Sequence, residues 1–263
     1  YPAFFLSRFS PQLLLKEGVA SGAGSQRVRK VLMGAQFAIT LFMVVGTLAV
    51  FMQLQWLRTN DMGLRKENVL AIRMPQPHPE DTLAWDAIRP LKAELARESF
   101  VEGAAFTDFT PGGGTQRWVL RARTKDGVVD KPLPAMSCDA DYPELIGMQL
   151  SSGRMFDPNI PTDRTGSLVV NESLVRSFGF TDPLQSMLYI PGDAKADPPQ
   201  PDQEFRIIGV VKDFHYASLH TPIEPLAIFP SDPRYGVNNL MVRLAPGDVR
   251  SQLASLQARF KSV

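Results

Sequence analysis

Apolar residues recur along this chain in three distinguishable patterns, and each predicts a different kind of element. The first is an unbroken run. Val31 to Met52 reads VLMGAQFAITLFMVVGTLAVFM and holds no charged residue. As a helix it would rise about 33 Å, enough to cross the hydrocarbon core of a bilayer. The alternative is a helix buried in a soluble core, and such helices rarely stay uncharged for so long. The run begins too late and lasts too long for a secretory h-region, and no small-residue cleavage site follows it. Residues Gln53 to Arg58 remain good helix formers, and the next Gly or Pro is Gly63. The transmembrane helix is therefore expected over residues 31–52, continuing to about residue 62 as a stalk.

The second pattern is the short alternating or apolar run. Val69–Met74, Val101–Phe106, Trp118–Arg123, Leu133–Cys138, Ser167–Val170, Phe205–Lys212 and Leu240–Leu244 read as strands. The third is helical spacing. Leu83, Ile88, Leu91 and Leu95 share one face of a helix over Glu80–Glu98, and Tyr142–Met148, Glu172–Phe178 and Asp248–Phe260 read as further helices. Pro111–Gly114 and Pro191–Pro201 read as surface loops. The sum is an α+β domain over residues 65–263. Its outer elements run strand–helix–strand, then strand–strand–helix. That order predicts a ferredoxin-like half whose last strand would lie beyond Val263, with residues 115–203 as an inserted mixed α/β subdomain.

Ahead of the long run, Tyr1–Leu6 (YPAFFL) reads as the last turn of a preceding membrane helix. Ser10 and Pro11 open a short amphipathic helix carrying Leu13, Leu14 and Leu15 and closed by Gly18, and Ser21–Ser25 reads as a flexible linker. Residues 1–30 are therefore expected to be the end of that helix and a cytoplasmic linker.

Composition changes this picture little; local charge changes it more. The 263 residues are 44% hydrophobic and 21% charged with a net charge of +1, so nothing points to nucleic acid as a partner. Arg8, Lys16, Arg27, Arg29 and Lys30 precede the apolar run against Glu17 alone. The positive-inside rule then puts the N-terminal flank in the cytoplasm and the large domain outside, with Trp56 as an interfacial anchor. Gly34 with Ala38, and Gly46 with Thr47, are thin spots where another helix could approach, and Gln36 and Thr40 could bond across to it; an ordinary single anchor is the alternative. The single cysteine, Cys138, has no partner for an internal disulfide and reads as a small buried hydrophobe.

Candidate chemistry is sparse. Asp213, His215 and His220 could ligate a metal, but Asp213 is better read as bonding loop backbone amides. Asn171 and Glu172 read as the cap and first turn of a helix rather than as catalytic groups. Arg154 could serve an interface or a domain-internal ion pair, the latter being the favoured reading. No phosphate-binding loop occurs, since Pro111-Gly112-Gly113-Gly114 lacks the lysine and the following helix, and no nucleophile elbow occurs. No catalytic, cofactor-binding or metal-binding residue is assigned, no cofactor is expected, and the substrate-binding residues are unknown.

The sequence resembles the FtsX-like and MacB-like ABC transporter permeases, including the duplicated permeases of antimicrobial-peptide type. Arg29–Ile39 fits their R-K-x-L-x-x-x-Q-F-x-I helix start. Gln53-Leu54, Gly63-Leu64 and Glu67-Asn68-Val69-Leu70 follow. Tyr142, Gly147, Gly153, Arg154 and Phe156 fit the Y-x-x-x-x-G-x-x-x-x-x-G-R-x-F pattern of their periplasmic core domain. Val169-Val170-Asn171-Glu172, Phe178-Gly179, Asp182-Pro183 and Ile208–Phe214 then come in order. Gln185 and Ser186 depart from the Gly and Lys usual at their positions. The resemblance implies a non-enzymatic permease subunit in the cell inner membrane. ATP hydrolysis on a separate cytoplasmic ABC ATPase would move the periplasmic domain for export or mechanotransmission. It implies other membrane helices of the same permease and the lipid bilayer as partners, with a periplasmic adaptor as a further candidate. Val31–Met52 would be the fifth membrane helix, and the domain the second of two. Substrates across the family range from antimicrobial peptides and macrolides to lipoproteins, and some members regulate cell-wall hydrolases. The alternative is a membrane-anchored periplasmic sensor.

Overall fold

The computed structural model describes residues 23–59, 63–65, 67–74, 90–111, 113–124, 127–193, 195–196, 198–217, 221–231 and 238–260. The expected short helix near Pro11, the segment Tyr1–Leu6, Leu83, Ile88 and His220 lie outside the described residues. The chain divides into two compact units, Tyr1–Asn60 and Asp61–Val263.

In the first unit a single helix, α1, spans Ala23–Thr59. It starts inside the segment expected to be a flexible linker, with Gly24 in its first turn. Within it, Gln26–Trp56 is long and apolar enough to cross a membrane, and none of this stretch is buried by the rest of the chain. Thr40 and Thr47 do not hold their hydroxyl protons for a neighbour. Thr40 Oγ1 donates to the Gln36 carbonyl at 2.9 Å, and Thr47 Oγ1 to that of Met43 at 2.8 Å. Such back-bonding satisfies a threonine inside its own helix.

Among the described residues the second unit is built on ten strands: β1 (Val69–Arg73), β2 (Val101–Thr107), β3 (Gln116–Thr124), β4 (Gly127–Cys138), β5 (Leu150–Gly153), β6 (Ser167–Asn171), β7 (Met187–Ile190), β8 (Gln203–Val211), β9 (Ala227–Pro230) and β10 (Asn239–Leu244). Its helices are α2 (Tyr142–Leu145), α3 (Glu172–Phe178) and α4 (Val249–Phe260), with a further helical stretch over residues 90–95. Strand β10 lies antiparallel between β1 and β2, with Leu240 opposite both Ile72 and Phe106. One face of this trio packs Ala104, Phe106, Leu240, Val242 and Leu244 against Leu91, Leu95 and Leu256 of the flanking helices. The alternation of β10 is the two-residue period of a pleated strand, which sends Met241 and Arg243 to the opposite face.

The remaining strands close on themselves. Strand β4 pairs with β3, β3 with β7, β7 with β8, β8 with β6, and β6 with β9, which returns to β4 in parallel. The ring draws on β8 and β9 as well as on strands within residues 115–203. Every ring strand contributes to one apolar cluster, including Leu120, Leu133, Leu168, Leu188, Ile207 and Phe229, and α3 adds Leu174 and Phe178. The trio and the ring meet at one register pair, Thr107 opposite Cys138. A second cluster lies there, joining Ala105 and Met241 of the trio, Val169 and Ile228 of the ring, and Tyr142, Leu145 and Ile146 around α2.

Candidate functional site

Asn171 closes β6 and starts α3. Its side-chain oxygen accepts from Leu174 N at 3.0 Å and from Leu226 N at 2.8 Å, while its amide nitrogen donates to the Glu224 carbonyl at 3.0 Å. It is thus an N-cap that also ties the strand to the segment leading into β9, a structural role. Glu172 accepts from Ser151 Oγ at 2.8 Å in the first turn, where a carboxylate suits the helix dipole. Asp213 reaches α3 from β8. Its carboxylate accepts from Ser173 N and Ser173 Oγ, both at 2.9 Å, and from Arg176. The backbone amide it satisfies belongs to a helix start rather than to a loop.

His215 is partly buried beside a cavity of only about 10 Å³, too small for a ligand. Among the described residues no group of three or more His, Cys, Asp or Glu side chains could hold a metal.

Arg154 makes the domain-internal pair. Its guanidinium grips Asp163 with two nitrogens, one of them at 2.8 Å, and Asp163 also accepts from Asp157 N at 3.0 Å. The bidentate grip holds the buried Asp163 carboxyl below the usual carboxylate range. Two open cavities flank this pair. One, of about 320 Å³, is lined by Cys138, Phe156, Asp157 and Pro230. The other, of about 520 Å³, is lined by Arg154, Thr162, Gln185 and Arg206. Cys138 itself is fully buried, and burial raises its thiol pKa well above normal, which makes it a poor nucleophile.

At the joint between trio and ring, Lys92 bridges Asp139 and Asp141, both at 2.5 Å. Asp139 also accepts from Phe106 N at 2.9 Å. Beside it, burial pushes the Asp108 carboxyl up to about 6 even though Ser137 N donates to it at 2.7 Å.

The most heavily fastened part of the domain is the segment by which the chain enters it. Gly63 takes φ 73°, and a Cβ there would stand 3.3 Å from that of Phe214. Leu64 is buried in the cluster around α2. Arg65 N donates to the Ile146 carbonyl at 2.7 Å, and Leu244 N to that of Asn68 at 2.8 Å. Gly147 takes φ 70°, and a Cβ there would come within 2.7 Å of the Arg65 side chain. Arg243 completes the arrangement. It donates to the carbonyls of Leu145 at 3.0 Å, Glu67 at 2.8 Å and Arg65 at 2.6 Å. Desolvation, and then the Arg65 charge, lower its pKa. Nothing in the sequence near Arg243 signals this role, because all its partners are distant backbone atoms; Lys92 is hidden because its two carboxylate partners lie 47 and 49 residues away.

The comparisons agree with this architecture. The periplasmic region of MacB from Actinobacillus actinomycetemcomitans is similar at a TM-score of 0.50 and 13% identity, over 78% of this chain and 87% of that one. The extracellular domain of the noncanonic ABC-type transporter YknZ from Gram-positive bacteria is similar at a TM-score of 0.43 and 15% identity, over 72% of this chain and 88% of that one. No curated protein matches the chain. A family model of the MacB-like periplasmic core domain matches residues 37–258, most of the chain. The chain therefore belongs to the MacB-like periplasmic core domain family of ABC-transporter-type permeases.

Proposed function

We propose that this chain carries the outer domain and one membrane helix of a permease subunit, and that it transmits movement from the membrane to the domain. A separate cytoplasmic ATPase hydrolyses ATP, other helices of the same permease pack beside α1, and the N-terminal flank lies in the cytoplasm. The observation that carries this reading is the continuity of α1, which runs seven residues past Met52 to Thr59 without a Gly or Pro. A continuous helix transmits tilt or shift, whereas a Gly-rich linker would absorb it. The order β1-β10-β2 with helices on one face supports a ferredoxin-like half within the domain. A periplasmic adaptor would be a further partner of the domain.

Two experiments test this. Cysteines placed at Ser21 and at Asp202 report orientation, because the native Cys138 is buried and silent. In intact cells a membrane-impermeant thiol reagent labels the second and not the first; the reverse pattern refutes the orientation. For coupling, a flexible Gly-Ser insertion after Trp56 abolishes ATP-driven movement of the domain while leaving its folding and ATP hydrolysis intact. Unchanged movement would reduce the stalk to a tether.

A further inference from the structure

Arg243 is buried to 8% exposure; among the described residues no carboxylate bonds to it directly, although the charges of Glu102 and Glu67 favour its cationic form. A buried charge normally requires a counter-charge or a full set of hydrogen bonds, and an apolar side chain of similar length would fill the same space without that cost. Its acceptors are all main-chain carbonyls, and they belong to two segments. Arg65 and Glu67 lie on the chain entering the domain, while Leu145 ends α2. A second guanidinium nitrogen also donates to the Leu145 carbonyl. The last carbonyls of a helix lack intrahelical partners, and the Leu145 carbonyl at the end of the one-turn α2 is open to a donor. Only the planar fork of arginine spans both segments; an ammonium is a single point of donation.

We infer that Arg243 is a positioning residue that makes the entering chain, at Arg65 and Glu67, and α2 move as one body. This inference rests on the coupling reading above. Its consequence follows from the packing. Tyr142, Leu145 and Ile146 share a cluster with Ala105 and Met241 of the trio and with Val169 and Ile228 of the ring. A displacement reaching Arg65 therefore passes through the guanidinium to α2, and from α2 to both halves of the domain. Because the acceptors are backbone atoms, the linkage does not depend on the rotamers at positions 65, 67 or 145. The direct bond from Arg65 N to the Ile146 carbonyl ties one point alone, and the fork extends that tie to Glu67.

The test uses the full-length permease with its ATPase in nanodiscs, with spin labels on the exposed Glu144 of α2 and Val128 of the β3–β4 hairpin. ATP changes the distance between the labels. Arg243→Lys keeps the charge and the fold, as read by thermal melting, and keeps ATP hydrolysis, but the distance change falls several-fold. Arg243→Met behaves the same way or more severely. A folded Arg243→Lys protein with an undiminished distance change, alongside a Trp56 insertion that abolishes it, overturns the role of Arg243 and leaves the coupling reading standing. If neither alteration affects the distance change, the coupling reading falls and this inference with it. If both Arg243 variants fail to fold, Arg243 is a folding determinant and the inference is likewise overturned.

Discussion

Helix α1 and strand β6 are made of the same residue types, yet they meet opposite surroundings. Leu168, Val169 and Val170 are fully buried, whereas Leu41, Val44 and Val45 are 59%, 50% and 57% exposed. The domain supplies its own apolar solvent, since the five other ring strands and α3 share one apolar cluster with β6. For α1 that solvent must come from lipid and from other helices. The contrast teaches that one composition can encode two stabilities: the domain's follows from side chains fitting one another, and the helix's from transfer into a bilayer.

The comparison breaks most visibly at Leu168. Leu168→Ala leaves a hole in a packed core and costs about 2–5 kcal/mol, seen as a lower urea midpoint for the domain. Leu48→Ala in α1 costs under about 1 kcal/mol of membrane insertion, because lipid refills the space. Equal effects at the two sites would erase the distinction. Val45→Arg puts a charge mid-span and disfavours insertion by about 3 kcal/mol in a glycosylation-mapping assay, while the outer domain keeps its melting temperature. Asn171→Ala removes the cap of α3 and the acceptor of Leu226 N, and lowers domain stability by about 2 kcal/mol with no effect on insertion.

A pH-dependent effect is confined to the domain. The Asp108 carboxyl lies at about 6 when folded, above its usual 3.8, so the folded state holds that proton more tightly than the unfolded one. Its stabilising contribution is present in acid and is lost as pH rises through about 6. Asp108→Asn therefore raises domain stability near neutral pH by about 1 kcal/mol, against a ceiling of about 3 kcal/mol set by the size of the shift. The gain shrinks toward about pH 4. A gain independent of pH would show that Asp108 is not the titrating group. Insertion of α1 does not respond.

How far these features are legible in the sequence differs by region. Helix α1 is legible because the absence of charge over Val31–Met52 needs no partner to be interpreted. Strand β6 running into α3 is legible through the apolar run, Asn171 and the αL cap at Gly179. The four-residue strands β5, β7 and β9 were not foreseen. LSSG is exposed throughout and carries no apolar pattern, MLYI is too short to show a period, and AIFP ends in a proline that reads as a breaker. Helix α2 is shorter than the expected Tyr142–Met148 because Gly147 turns left-handed. Closure of the ring depends on the parallel pairing of β4 with β9, which no local rule announces. Arg243 reads in sequence as the solvent-facing residue of an alternating strand. Only the tertiary position of the Arg65, Glu67 and Leu145 carbonyls shows why it faces inward.

The pairing of β1 with β10 has a kinetic consequence. Val69 finds its partner in Arg243, so β1 waits for a strand made about 170 residues later, which is the separation of the two positions. Likewise β4 cannot complete its second edge until β9 has arrived. Such non-local closure slows folding, and meanwhile the β1, β2 and β4 edges stand open to other chains. Helix α1 closes through local backbone hydrogen bonds and so forms early. With α1 in a bilayer, the domain completes its folding already tethered, which holds its unpaired edges apart from most competitors during the interval when they are most prone to mispair.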